Sequence, residues 1–136
     1  ITLIATDRLE GIDVDLASMP DMAQTLAVTA LFAEGETTIR GLHTLRLKET
    51  DRIAAIRNEL LKFGATVEVE NDTITITPPD LLRRADVDTY DDHRMAMSFA
   101  LAATRIEHTT IRDPQCVNKT YPEFFEDLKR VVNQTA

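Results

Sequence analysis

The stretch Thr37–Arg40 reads "TTIR", and the same four residues return 72 positions later as Thr109–Arg112. Four residues alone carry little, so the flanks decide whether a unit is duplicated. Upstream of the first copy lies "MAQTLAVTALFAEG" and upstream of the second "MAMSFALAATRIEH", both apolar, rich in small residues and equal in length. Further back, "DVD" stands at 13–15 and at 86–88, followed by the charged loops "SMPDM" and "YDDHRM" respectively. Downstream, a lysine follows each "TTIR" after eight or seven residues, Lys48 and Lys119, and a helical pattern comes next. Chance can supply any one of these matches; their common order reads as a duplicated unit.

Periodicity gives the unit its elements. "IDVDLA" (12–17) alternates apolar and polar residues as a strand does. Pro20 and Asp21 open a helix, the acid at the positive end of the dipole, and the helix is expected to run to about Glu34 with Gly35 as its stop. It is apolar on nearly every side, which suits a helix buried between layers. "TTIRG" is a short β-branched strand. Ile53, Ile56 and Leu60 then recur on one helical face, with Asp51 in the first turn and Gly64 at the end. "ATVEVE" and "TITITP" flank Asn71 and Asp72 as a hairpin, closed by Pro78 and Pro79. The expected fold is α/β (α+β), one domain made of a βαβαββ unit over about 12–79 and a second, incomplete unit over about 86–136 that lacks the closing hairpin.

Composition limits the function. An apolar content of 43% over 136 residues supports a real core. No apolar run approaches a membrane span, and no basic segment followed by an apolar stretch reads as a signal peptide, so a cytoplasmic location is expected. Cys116 is the only cysteine and no cysteine–histidine spacing suits zinc, so neither disulfide nor metal is expected. A net charge of −8 argues against nucleic acid or an anionic membrane as partner, since both are bound through basic surfaces. An anionic ligand would need a local cationic cluster.

Such a cluster is available. Asp21, the "KETDR" run (48–52), the "DDHR" run (91–94) and Lys119 all fall at or just before expected helix starts, where free amides and the helix dipole favour anions. Converging there, Lys48, Arg52, Arg94 and Lys119 would form a cationic pocket, with Asp21 and Glu49 as acid–base groups inside it. Each feature also has a plainer explanation. "KETDR" alone suits a solvated helix start with local ion pairs, and "DDHR" a helix cap with a surface pair. Asp21 alone suits a first-turn acid, and Cys116 a small half-buried side chain. Recurrence of charge at corresponding ends of two copies favours the site.

"PDMAQT", "LKETDRIAAI", "DDHRMAMSFAL" and "NKTYPEFFEDL", in that order from about Asp13 to Val131, resemble the C-terminal part of the 5-enolpyruvylshikimate-3-phosphate (EPSP) synthase family. The resemblance implies a two-lobe inside-out α/β barrel of six βαβαββ units, of which this chain would be a partial C-terminal lobe. It implies transfer of the enolpyruvyl group of phosphoenolpyruvate to the 5-hydroxyl of shikimate 3-phosphate, through a tetrahedral adduct and with loss of phosphate, without metal or organic cofactor. Carried over by position, Asp21 is the proton acceptor that also contacts the shikimate ring, and Glu49 the proton donor to the methylene carbon. Lys48 contacts shikimate 3-phosphate, and Arg52, Arg94 and Lys119 hold phosphoenolpyruvate with His93 beside them. Thr44 stands where some members have a substrate-touching asparagine, and Asp91 where some have asparagine.

Without the other lobe the chain is expected to be inactive and to self-associate, whereas the intact parent would be a monomer. A nucleotide-sugar enolpyruvyl transferase is the alternative enzyme, and a non-catalytic acidic interaction domain the alternative outside enzymology.

Overall fold

A computed structural model describes residues 7–134. Its elements are β1 (Leu9–Glu10), β2 (Asp13–Asp15), α1 (Ala23–Ala30), β3 (Ala33–Glu34), β4 (Thr37–Arg40), α2 (Arg52–Lys62), β5 (Thr66–Glu70), β6 (Thr73–Thr77), β7 (Asp86–Val87), α3 (His93–Ala103), β8 (Thr110–Ile111) and α4 (Phe124–Gln134). Short 3-10 turns cover Pro20–Met22, His43–Leu47 and Pro114–Lys119.

The two stretches that match in sequence fold alike. β2 runs parallel to β4 with Asp13 opposite Thr38 and Val14 opposite Ile39, and β7 runs parallel to β8 with Asp86 opposite Thr110 and Val87 opposite Ile111. Each pair carries the same cross-strand ion pair, Arg40–Asp13 at 2.8 Å and Arg112–Asp86 at 3.0 Å. Parallel strands need a crossover, and α1 and α3 supply it. These helices lie side by side in the same direction. The Arg94 guanidinium donates to the Asp21 carbonyl and Thr25 meets Ser98, so both contacts join positions 73 apart, the offset of the repeat itself.

The hairpin β5–β6 completes a mixed sheet of order β2-β4-β6-β5. Ile39, Val67, Ile74 and Ile76 on one face of the sheet are buried in one core with Val28 of α1, Ile53, Ile56 and Leu60 of α2, and Phe63. Phe99 of α3 stacks on Phe63 at 6.1 Å between ring centroids, tying the second unit to the first. Gly64 closes α2 at φ +95°, a left-handed position that suits glycine.

The helix beginning near Pro20 is shorter than its apolar pattern suggests. It ends at Ala30 because Ala33 and Glu34 pair in parallel with Leu9 and Glu10, a strand contact the local pattern does not announce. Asp51 is the N-cap of α2, its carboxylate accepting from the Ala54 amide, and is not inside the first turn. The last two residues of the expected second unit lie outside the described residues.

One buried position works against the fold. Gln24 of α1 is fully buried, and neither its amide nitrogen nor its carbonyl oxygen has a hydrogen-bond partner among the described residues. An orphaned buried polar group costs about 1–3 kcal/mol. Gln24→Met keeps the volume and removes both orphans, and it should raise stability by about 1–2 kcal/mol in urea unfolding. A fall in the midpoint would mean that the amide is satisfied.

Candidate functional site

The shared start of α1, α2 and α3 gathers the charged runs around one side chain. Arg52 opens α2, one residue after its cap, and its side chain is only 1% exposed. Its Nε donates to Asp92 Oδ2 at 2.7 Å and its Nη2 to Asp92 Oδ1 at 3.3 Å, a forked pair with a carboxylate of zero exposure. Nη1 donates to Asp21 Oδ1 at 2.9 Å and Nη2 also to Glu49 Oε2 at 2.8 Å. Four of the five guanidinium N–H groups are thereby engaged by three acids, one from the start of each of the three helices. A planar fork with fixed donors is the side chain that can bridge three carboxylates at once.

Asp21 and Glu49 differ from Asp92 in being about 40% exposed, so each turns one side to Arg52 and the other to solvent. Asp21 also receives Arg94 Nη2 at 3.2 Å and Lys48 Nζ at 3.8 Å. His93 opens α3 with Nδ1 3.9 Å from Glu49 Oε1, buried and without a hydrogen bond among the described residues. A recess of about 350 Å³ lies beside them, lined by Asp21, Thr25, His93, Arg94, Met97, Ser98, Thr120 and Tyr121. Asp21 therefore faces both the recess and the cations.

The structure thus brings Asp21, Lys48, Glu49, Arg52, His93 and Arg94 together. Lys119 is one step removed, since its Nζ is held by the Asp91 carbonyl oxygen at 2.6 Å and the Asp91 carboxylate at 3.5 Å. Thr44 lies in the His43–Leu47 turn, which packs on the Pro20–Met22 turn that carries Asp21, and its hydroxyl is buried and unpartnered among the described residues. Arg52 is the buried hub of the acids, and its partner Asp92 was not expected as a site residue. The only sequence sign of Asp92 is its place before α3, where its carboxylate caps the Arg94 amide at 2.8 Å. Cap and ion pair are made by one side chain.

A second polar cluster sits further along α2. Glu59 is completely buried and accepts from Lys62 Nζ at 2.6 Å, Tyr90 Oη at 2.7 Å and the Asp88 amide at 3.0 Å. Burial pulls the Lys62 ammonium down, but its bonds to Asp88 and Glu59 outweigh this and the net shift is upward. The bond from Lys62 holds the Asp88 carboxyl below its usual range, and burial followed by the Glu59 bond pushes the Tyr90 phenol up. Asp86 and Arg112 flank Asp88 and stabilise each other's charged forms. The depressed Asp88 contributes stability that is present above its unfolded value near 3.9 and lost as pH falls through the folded one. The raised Lys62 and Tyr90 contribute stability that is complete below about 10 and lost as pH climbs through their folded values. Thermal midpoints of the chain and of Lys62→Met should therefore differ most between about pH 5 and 9 and converge outside that window. A gap independent of pH would assign the effect to packing. Cys116 is buried, which pushes its thiol up and leaves it protonated at neutral pH.

Two solved structures place this α/β fold among the enolpyruvyl transferases. EPSP synthase from Acinetobacter baumannii superposes with a TM-score of 0.82 and 29% identity over 90% of this chain and 30% of that one. The enolpyruvyl transferase NikO from Streptomyces tendae gives 0.71 and 25% over 93% of this chain and 29% of that one. The chain belongs to the EPSP synthase (3-phosphoshikimate 1-carboxyvinyltransferase) family, whose model matches residues 1–128. It is 54% identical over 124 residues to the 3-phosphoshikimate 1-carboxyvinyltransferase of Aliivibrio salmonicida and to the chloroplastic one of Arabidopsis thaliana, covering 91% of this chain but 29% and 24% of those proteins. The chain thus spans less than a third of the length of these relatives. No described helix is long and apolar enough to cross a membrane.

Proposed function

We propose that this chain supplies one part of the active site of a cytoplasmic EPSP synthase, with residues 12–79 and 86–136 as one complete and one incomplete copy of the family's repeat. The observation that carries the reading is the single guanidinium of Arg52 holding Asp21, Glu49 and Asp92 with Lys48 and Arg94 on the Asp21 carboxylate. Shikimate 3-phosphate and phosphoenolpyruvate are both anions. When the phosphoenolpyruvate anion enters, it competes with Asp21 and Glu49 for Nη1 and Nη2 of Arg52, while buried Asp92 keeps Nε. The displaced groups are released where they are needed, Asp21 as the carboxylate that takes the 5-hydroxyl proton and Glu49, protonated from solvent on its exposed side once Arg52 lets go, as the acid that delivers one to the methylene carbon. Arg94 and Lys119 complete the grip on phosphoenolpyruvate, His93 lies beside them, and Lys48 meets the phosphate of the other substrate. Thr44, on the turn packed against the one that carries Asp21, contacts shikimate 3-phosphate.

Both substrates must be positioned by groups on two lobes, so the chain alone should release no phosphate above the blank. Self-association of the chain follows from the same incompleteness and is read by sedimentation. The decisive experiment exchanges this chain for the matching segment of the Aliivibrio salmonicida enzyme. The chimera should form phosphate from shikimate 3-phosphate and phosphoenolpyruvate. Activity only with a nucleotide-sugar acceptor, or turnover by the chain alone, would overturn the proposal.

A further inference from the structure

We propose that Glu59, about 10 Å down α2 from Arg52, is a positioning residue that aims the Asp91–Asp92 segment at Arg52 and Lys119. The inference rests on the reading above only for calling Arg52 and Lys119 site residues.

Residues 52 and 59 are seven apart, about two helical turns, and so lie on one face of α2. That face holds the segment before α3 at two points. At the lower point Glu59 accepts from the Asp88 amide and the Tyr90 hydroxyl, and at the upper point Arg52 donates to Asp92. Between them Tyr90 and Asp91 are both left-handed, at φ +56° and +53°. For residues with a side chain this conformation costs on the order of 1–2 kcal/mol each, and it persists only where surroundings over-determine it. Two successive left-handed residues turn the chain sharply. The turn points the Asp91 carbonyl at Lys119 Nζ and delivers the Asp92 carboxylate into the buried pair with Arg52. Within it the local bond is the Asp92 amide to the Thr89 carbonyl, and Tyr90 is held from α2 through its hydroxyl, which donates to Glu59 and also meets Asn58.

Glu59 is itself costly to bury, since a carboxylate of zero exposure must be fully hydrogen-bonded. Lys62 supplies the countercharge, leaving the other lone pairs for the loop. A carboxylate needed only for stability at this depth could be an apolar side chain. What an apolar side chain cannot do is hold an amide and a phenol hydroxyl two residues apart in one register.

The test uses the 136-residue chain with Glu59→Gln and Tyr90→Phe, the second deleting a single hydroxyl from a side chain that is 38% exposed. Hydrogen exchange by NMR is read at Arg52 Nε–H and at the sheet amides of Ile74 and Ile76. Inorganic phosphate is then titrated, followed at Arg94 and Lys119. In both variants Arg52 Nε–H should lose protection by about tenfold or more while the sheet amides keep theirs, and phosphate should bind about tenfold more weakly, the lower end of what outer contacts cost at metal sites. Parallel loss at Arg52 and the sheet would make Glu59 a stabilising residue only and overturn the inference. Unchanged protection at Arg52 would overturn it as well. If Glu59→Gln does not fold, Tyr90→Phe alone decides. Failure of the unaltered chain to bind phosphate would count against the site reading and leave the exchange result to judge Glu59.

Discussion

Replacing Asp92 with alanine should remove about 3–5 kcal/mol of stability, the cost of stranding one charge of a buried pair. The charge left behind is Arg52, 1% exposed and bonded through Nε to Asp92 alone. Asp21 and Glu49 remain on Nη1 and Nη2, but both are about 40% exposed and solvent screening weakens their hold. The cap on the Arg94 amide disappears with the same carboxylate, adding about 1 kcal/mol. Arg52→Met should be comparably harmful, since it strands Asp92. The double variant Arg52→Met with Asp92→Leu should recover most of the loss, because apolar replacements of a buried pair are often neutral or better. Urea unfolding at unchanged slope measures all three. A single-variant loss below about 1 kcal/mol would show that water reaches the pair and that Arg52 is not the hub described.

Activity should fall furthest at Asp21 and Glu49. In the chimera, Asp21→Asn and Glu49→Gln keep shape and remove charge, and each should lower turnover by about 100- to 10,000-fold, the range of general acid–base groups. Stability should change by only about 0.3–1 kcal/mol, as for any acid near a helix start. The two should fail at different stages, because the proposed function gives one the hydroxyl proton and the other the carbon. Trapping of the tetrahedral adduct by rapid quench distinguishes them. Arg94→Lys loses the fork and should raise the KM for phosphoenolpyruvate with little effect on that for shikimate 3-phosphate. Near-normal turnover of both amide variants in a folded chimera would return Asp21 and Glu49 to the role of helix-start acids.

Much of this was legible in the residues because the unit occurs twice. One "DVD" beside one "TTIR" is weak, but two pairs at nearly one offset marked a repeated unit, and the structure shows the two strand pairs in corresponding registers. The hairpin was legible from its alternation and polar turn, and Asn71 is indeed left-handed at φ +52°. β1 and β3 were not, because two-residue strands have no period to detect and "LFAEG" continues a helical pattern until a distant strand claims it. The burial of Arg52 was not legible for another reason. A charge run looks solvated in sequence, and what buries this arginine is an acid 40 residues away. Glu59 was equally silent, one acid among several on an amphipathic helix, distinguished only by a tyrosine that must turn left-handed to reach it.

The cations around Asp21 sit in a chain of net charge −8, and this bears on the kinetics of any encounter with this chain. A dianion diffusing inward meets a repulsive field first and the local attraction of Lys48, Arg94 and the helix starts only at close range. At 0.15 M salt, where the Debye length is about 8 Å, most of the outer field is screened while contacts inside the recess are not. Added salt should therefore quicken arrival up to that point and shorten residence beyond it. Arrival at this chain would rise with added salt and then level off, the opposite of the slowing seen when an oppositely charged surface steers its ligand in.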